Sequence, residues 1–380
     1  MAYQNVGTPR FYIDQIQYLK SIGLDFERWY DDWGYTANTV ESEHSLTILD
    51  SPDLFTFEPE VQKNKTHENT KSYIAWDIPT GYLNTPNLES DNTGRYIAVL
   101  NHNIATQQEG LYVFSNWQDY FIGNMGDYNA TGITEKTILN NEYTLTPFDG
   151  CTIIEYDKDS SGFNPNYEEK FVRIGIAGYD SAVALKEINL GALSWGIYYD
   201  MPHSPELDVT MTIENDGYDA ITTQGGAHLT NIKYNGAPMW ERADGTQAPP
   251  WTIGEPISVG RRRGRRVWSM NFKYLSDKDL FASNYMSNNY TENPDGYDSA
   301  DLDTDADNNE VFYYNLDNDN SFHAQVLNKV GNGQRFIFQP DNTNNNPDQF
   351  AICQLDQDSL NIKQVANGVY DISLKIREVW

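Results

Sequence analysis

The final stretch of the chain alternates apolar and polar residues without interruption. Tyr370, Ile372, Leu374 and Ile376 fall on one side, and Asp371, Ser373, Lys375 and Arg377 on the other. A period of two is the spacing of a β-strand, whose successive side chains face opposite sides of the sheet. Trp268, Met270, Phe272 and Tyr274 repeat it, as do Leu207, Val209, Met211 and Ile213 opposed by Asp208, Thr210 and Thr212. Each run predicts a half-buried antiparallel strand. Between the last two lie a turn at Asn215-Asp216-Gly217, a glycine-punctuated segment and a cationic run over 260–266. The stretch 189–275 has no helical period and no catalytic spacing, and it reads as the scaffold around which the chain is organised.

Composition agrees with strands. The 26 Tyr and 9 Trp sit among abundant Asn, Asp, Thr, Ser and Gly, a mixture suited to pleated, half-wet surfaces and turns. The expected class is all-β: two β-sandwich or jelly-roll-type domains, a short N-terminal β-rich segment and a long acidic loop. At 380 residues there is chain enough for two or three domains with real cores.

Residues 1–70 form the N-terminal segment, with strand-like pieces at 10–16, 45–49 and 54–57. A short helix over 15–22, ended by Gly23, competes with the first of them, and the segment is expected to pack on the C-terminal domain. A polar connector at 62–70 precedes a β-rich domain over 71–195, with strands near 73–78, 95–100, 111–114, 152–156, 171–176 and 188–190. The third unit, 196–380, is a sandwich or barrel. Its strand signals recur at 311–315, 322–330, 335–339, 350–353, 360–365 and 369–379, interrupted by an irregular acidic loop over 283–310.

Charge narrows the partners. Fifty-five acidic against 26 basic residues give −29, a surface that repels phosphate backbones and anionic membranes. Neither nucleic acid nor membrane is expected as a partner. Cys151 and Cys353 are too few and too far apart for a disulfide framework. No basic-then-apolar leader opens the sequence, so synthesis and folding in the cytoplasm are expected.

The cation-rich run Arg261-Arg262-Arg263-Gly264-Arg265-Arg266 is the sharpest local feature. Such runs bind nucleic acid or act as nuclear signals; in so acidic a chain, pairing with carboxylates of a neighbouring subunit or of the same chain fits better. With Trp268, Tyr198, Tyr199 and His203, these arginines are the candidate assembly residues. Asp301, Asp303, Asp305, Asp307 and Glu310 fall at EF-hand positions 3, 5, 7, 9 and 12 when Ser299 is position 1. Thr304 then stands where the loop needs glycine. A non-EF Ca2+ loop and a solvated acidic loop both remain open; no other cofactor is expected. Six histidines show no metal-ligand spacing. His102, between Asn101 and Asn103, is the most site-like of them, and a strand-end histidine bonded to backbone is its plainer reading. No nucleophile elbow, P-loop or dinucleotide fingerprint occurs. Abundant carboxylates alone do not define a glycosidase, so the chain is not expected to be an enzyme.

Two sets of strings resemble known families. Trp76-Asp77-Ile78-Pro79, Arg95-Tyr96-Ile97-Ala98-Val99-Leu100-Asn101-His102-Asn103, Phe171-Val172-Arg173-Ile174 and Ile188-Asn189-Leu190-Gly191 resemble the galactose-binding-like (discoidin-type) jelly roll. That likeness makes Trp76, His102 and Asn103 candidate ligand-binding residues. Thr8-Pro9-Arg10-Phe11-Tyr12, the run from Tyr198-Tyr199-Asp200-Met201-Pro202-His203 to Leu207, Gly264-Arg265-Arg266-Val267-Trp268 through Asp277, and Ser373-Leu374-Lys375-Ile376-Arg377-Glu378-Val379-Trp380 resemble virion structural proteins of marine tailed phages, those of the tail and baseplate. The resemblance implies a non-enzymatic, distal-tail-like building block of the virion tail. Its implied partners are further copies in a ring-like homo-oligomer and other tail or baseplate proteins. It supplies no catalytic residues. A carbohydrate- or host-receptor-binding module, with host surface glycan as partner, is the alternative.

Overall fold

The computed structural model describes residues 7–23, 43–45, 55–59, 63–67, 71–77, 92–102, 109–116, 134–137, 151–156, 171–178, 186–215, 218–232, 240–241, 247–248, 264–281, 321–331, 333–345 and 349–379. In chain order the first strands are β1 (Arg10–Asp14), β2 (Glu43–Ser45), β3 (Lys63–His67), β4 (Lys71–Asp77), β5 (Thr93–Leu100), β6 (Glu109–Asn116) and β7 (Thr134–Thr137). Next come β8 (Cys151–Tyr156), β9 (Phe171–Gly178), β10 (Lys186–Leu190), β11 (Ala192–Asp200), β12 (Thr210–Glu214), β13 (Tyr218–Thr222) and β14 (His228–Ile232). The last are β15 (Trp240–Glu241), β16 (Gln247–Ala248), β17 (Arg265–Ser276), β18 (Phe336–Gln339), β19 (Ala351–Leu355), β20 (Ile362–Ala366) and β21 (Val369–Glu378). Helical pieces are short: α1 (Gln15–Ser21), α2 (Asp277–Leu280), a π-helical turn at His323–Leu327 and α3 (Asn328–Val330).

The protein is mostly β. Ten strands join in one sheet along the path β12-β17-β21-β19-β18-β1-β11-β5-β8, with β20 added on β21. A five-stranded sheet runs β2-β4-β9-β6-β7, and β3–β10, β13–β14 and β15–β16 form two-stranded ladders. Strands from all three expected segments meet in the large sheet: β1 lies between β18 and β11, and β11 also pairs with β5.

The centre of that sheet is covered on both faces. Phe11 and Ile13 of β1 enter a cluster with Tyr199, Trp268, Phe272, Phe336, Phe338, Leu374 and Ile376. Tyr12, between them in sequence, enters a second cluster with Tyr96, Ala98, Leu100, Ile153, Ile337 and Ile352. Alternation therefore sends neighbouring residues of one strand into two separate cores. Phe322, Val326 and Val330, with Leu280 and Phe281, close the first cluster.

Two local expectations are corrected. The apolar piece at 322–330 is helical, not a strand. Phe322, Val326 and Val330 recur every four residues, which puts them on one helix face, and the Ser321 hydroxyl accepts from the Ala324 N–H at 3.2 Å. At 10–16 the strand stops at Asp14, which caps α1 by accepting from the Gln17 N–H at 3.0 Å; the helix ends before Gly23, at φ 81°.

Candidate functional site

Two polar clusters and one sheet edge concentrate the features singled out in the sequence. The first cluster draws side chains from β18, β1, β11 and β8, with β5 lying between the last two. Arg10 of β1 stands opposite Asp200 of β11 and donates from Nε to Oδ1 at 2.6 Å and from a terminal nitrogen to Oδ2 at 2.7 Å. A second terminal nitrogen reaches Glu155 of β8. The Tyr12 hydroxyl lies 2.8 Å from Glu155 Oε1 and 3.0 Å from Gln339 Oε1. The Arg10 guanidinium stacks 4.2 Å from the Tyr198 ring centroid, and the ring has room because Gly94, its partner on β5, has no Cβ to collide with it.

Burial alone would lower the Arg10 pKa, but Asp200 and Glu155 outweigh it and hold the guanidinium charged. Burial raises Glu155 above the usual carboxylate range against the pull of Arg10, and burial and Glu155 together raise Tyr12 well above its ordinary value. One cation shared by two carboxylates, with its face occupied by a ring, ties β1, β11 and β8 together, and the Tyr12 hydroxyl adds β18. It is a structural clamp.

The second cluster is what becomes of the arginine run. Arg266 donates from Nε to Glu378 Oε2 at 3.2 Å and from a terminal nitrogen to Oε1 at 3.0 Å. That terminal nitrogen also reaches the Phe350 carbonyl at 2.7 Å, and the guanidinium sits 5.0 Å from the Trp268 ring centroid. Glu378 is buried and Arg266 nearly so. Bidentate pairing of this kind needs fixed geometry, which the ladder between β17 and β21 supplies. Arg265 lies beside it on β17, half-buried, opposite Glu214 of β12. Arg261, Arg262 and Arg263 lie outside the described residues.

The remaining candidates separate. Trp268 is buried edge-on against Phe338 at 5.3 Å between centroids. Tyr199 is buried too, its ring 5.8 Å from Phe322 and its hydroxyl donating to the Asp279 carbonyl at 3.3 Å. Both belong to the core of this chain. His203 is half-buried; its Nδ1 donates to the Ser204 carbonyl at 2.8 Å. His102 is buried, with Nε2 2.9 Å from the Thr152 hydroxyl, and burial pushes its pKa down to about 4. Neighbouring Asn101 holds a left-handed φ of 53°. Trp76 lies on β4, opposite Val172 of β9. Asn103 and the Asp301, Asp303, Asp305, Asp307 and Glu310 set lie outside the described residues. Among the described residues no three His, Cys, Asp or Glu side chains gather as a metal site. No described helix is long and apolar enough to cross a membrane.

The edge strand β12 was legible in sequence, but its surroundings were not. Val209 packs against the first core cluster, whereas Leu207, Met211 and Ile213 are 78%, 53% and 58% exposed. Met211 is the cross-strand partner of buried Trp268, so it continues the core face of the sheet past the point where described residues cover it. Three residues intervene between β12 and the β13–β14 hairpin, whose residues 219–231 are exposed apart from half-buried Thr223. Sequence reading passed over this hairpin as a glycine-punctuated segment. The available signal was the pair of five-residue runs 218–222 and 228–232 flanking Gly225-Gly226.

Comparison with family models, with curated proteins and with solved structures finds no match. What is defined at this point is a class, a predominantly β protein built on one large, chiefly antiparallel sheet.

Proposed function

We propose that this chain is a structural protein of a tailed-phage virion, acting in the distal tail or baseplate through protein–protein assembly and not through catalysis. The observation that carries the reading is the bare end of the large sheet. An apolar row at β12 and a hairpin that joins no further strand among the described residues are exposed where a monomeric protein would normally cover them. The described polar clusters are consumed in holding strands together, which suits a rigid building block. The likeness of 198–207, 264–277 and 373–380 to tail and baseplate proteins supplies the virion context.

The finer architecture belongs to the same proposal. Of the strands between 71 and 200, β4, β6, β7 and β9 lie in one sheet, β5, β8 and β11 in another, and β10 pairs with β3 outside both. Such an exchange suits a sandwich or jelly roll, with a second sandwich-type unit following. Partners in this reading are further copies in a ring and neighbouring tail proteins. The protein would be made in the host cytoplasm and reside in the virion.

The test is to purify particles and measure the stoichiometry of this chain in them, together with the mass of the isolated protein in solution. A fixed integral copy number per tail is expected. Absence from particles overturns the proposal, and binding of the isolated chain to host glycans in that circumstance would move the reading to a carbohydrate-binding module.

A further inference from the structure

We infer that the β13–β14 hairpin of one copy docks on the exposed β12 row of a second copy, head to tail. This rests on the assembly reading above and names the surface that would do it.

The hairpin is a surface in search of support. Its ladder pairs Ile221 with Leu229 and Thr222 with His228, and directly opposed residues of an antiparallel pair share a face. Ile221 and Leu229 therefore form one apolar face, 60% and 58% exposed. An isolated two-stranded hairpin is marginally stable in water and gains order by packing against something apolar. Met211 and Ile213 on β12, with Leu207 in the turn that precedes it, are the matching surface, apolar and at the end of a sheet. In a single chain the two rows do not cover each other, since both remain more than half exposed.

Charge selects a second copy as occupant. The whole chain carries −29, yet Tyr218–Ile232 contains one carboxylate, Asp219, and no Lys or Arg, and 209–213 contains no charge. The acids bordering the row are already occupied. Glu206 lies 3.8 Å from Lys273, Glu214 lies 3.0 Å from Arg377, and Asp208 accepts from Asn271 at 3.1 Å. Two strongly acidic bodies can thus meet here with Asp219 the one carboxylate on the arm's docking face, whereas nothing on the row calls for a basic or anionic partner. Because arm and row are different surfaces of one chain, each copy can give its arm to one neighbour and its row to another, a head-to-tail contact. It closes into a ring if the rotation between copies permits and otherwise extends as a chain.

The experiment uses the full chain with Met211→Cys and Leu229→Cys made separately, and wild type, with its own Cys151 and Cys353, as the control for background bridging. Under mild oxidation the mixture of the two variants should give disulfide-linked dimers, and neither variant alone should. Leu229→Asp should raise the protein concentration needed for half-association by about tenfold or more and leave thermal unfolding unchanged in protein dilute enough to be monomeric.

A double variant that closes the bond within one chain overturns the inference, because the arm then folds back on its own body. Dimers from Met211→Cys alone overturn it in favour of edge-to-edge pairing of β12. A wild-type chain that stays monomeric at all concentrations, with no cross-link in the mixture, overturns it outright. Such results leave the virion reading to be judged by particle stoichiometry, so the two failures are distinguishable.

Discussion

β5 in the middle of the large sheet and β12 at its end carry opposite relations between pattern and burial. Over 96–100 β5 is a continuous apolar run, Tyr-Ile-Ala-Val-Leu, and every one of its eight residues is buried. β12 has the clean alternation expected of a half-buried strand, yet four of its five residues are exposed and the fifth, Glu214, is half-buried. A period of two reports the pleat. Whether the apolar side of that pleat meets a core depends on what lies above it, and that is set by the order of strands, which no local pattern encodes. The comparison teaches that a strand can be read correctly and its environment misread.

The largest expected effect tests the covered centre. Phe11 is fully buried, with its ring 5.3–5.7 Å from those of Phe322, Phe336 and Phe338. Phe11→Ala should cost about 5 kcal/mol, the upper end for truncating a buried aromatic, because few neighbours can collapse into the space. Chemical denaturation measures it. A loss below about 1 kcal/mol would mean that β1 is not central to the sheet.

Next in size is a pH dependence that pits two buried groups of the centre against each other. Asp14 is pushed up to about 7 by burial, which outweighs the Gln17 N–H and the Ser194 hydroxyl. A carboxyl raised on folding contributes stability that is complete below its unfolded pKa and lost as pH climbs through about 7. His102, lowered to about 4, contributes in the other sense; its share is present above the unfolded histidine value and lost as pH falls toward 4. Between pH 5 and 8 the Asp14 effect should therefore lower stability by about 3 kcal/mol, roughly 1.4 kcal/mol for each pH unit up to 7. Asp14→Asn, which keeps a capping side chain, should flatten that limb in denaturant midpoints taken across the range. An unchanged slope would show that Asp14 is not the group responsible.

The third prediction compares ion pairs of centre and edge. Glu378→Gln leaves the Arg266 guanidinium without its carboxylate beneath the Trp268 ring and should cost about 3 kcal/mol. Glu206→Gln at the row's margin removes a pair whose side chains are 41% and 47% exposed, and should cost under about 1 kcal/mol. Equal losses would erase the distinction between the two regions.

Much of the strand set was legible because the signals were local. The expected pieces at 95–100, 171–176 and 369–379 correspond to β5, β9 and β21, and the helix at 15–22 to α1. What was not legible depended on contacts distant in sequence. The expected boundary at 195 falls inside β11, and that strand is held by β1 and β5, both more than 90 residues away. The Arg10 clamp gave no motif, since Arg10, Glu155, Asp200 and Gln339 become neighbours only through strand order. The arginine run, by contrast, was conspicuous in sequence. Of its five arginines the structure describes two, and Arg266 is engaged by Glu378 of the same chain.

The smallest effects sharpen the comparison most, because they lie within one run of alternating apolar residues that crosses from a turn into β12. Leu207, Val209 and Met211 have the same spacing and the same apolar character, but only Val209 packs on the core. If burial and not pattern sets the energy, Val209→Ala should cost about 1–2 kcal/mol, while Leu207→Ala and Met211→Ala should each stay within about 0.5 kcal/mol in dilute protein. At concentrations where copies associate, the order should change. Met211→Ala would then lower the apparent stability, because an interface that forms only between folded chains adds to it by mass action. A concentration-independent Met211→Ala cost as large as that of Val209→Ala would mean that the row is already covered within the single chain, and the difference between the middle of the sheet and its end would be one of degree.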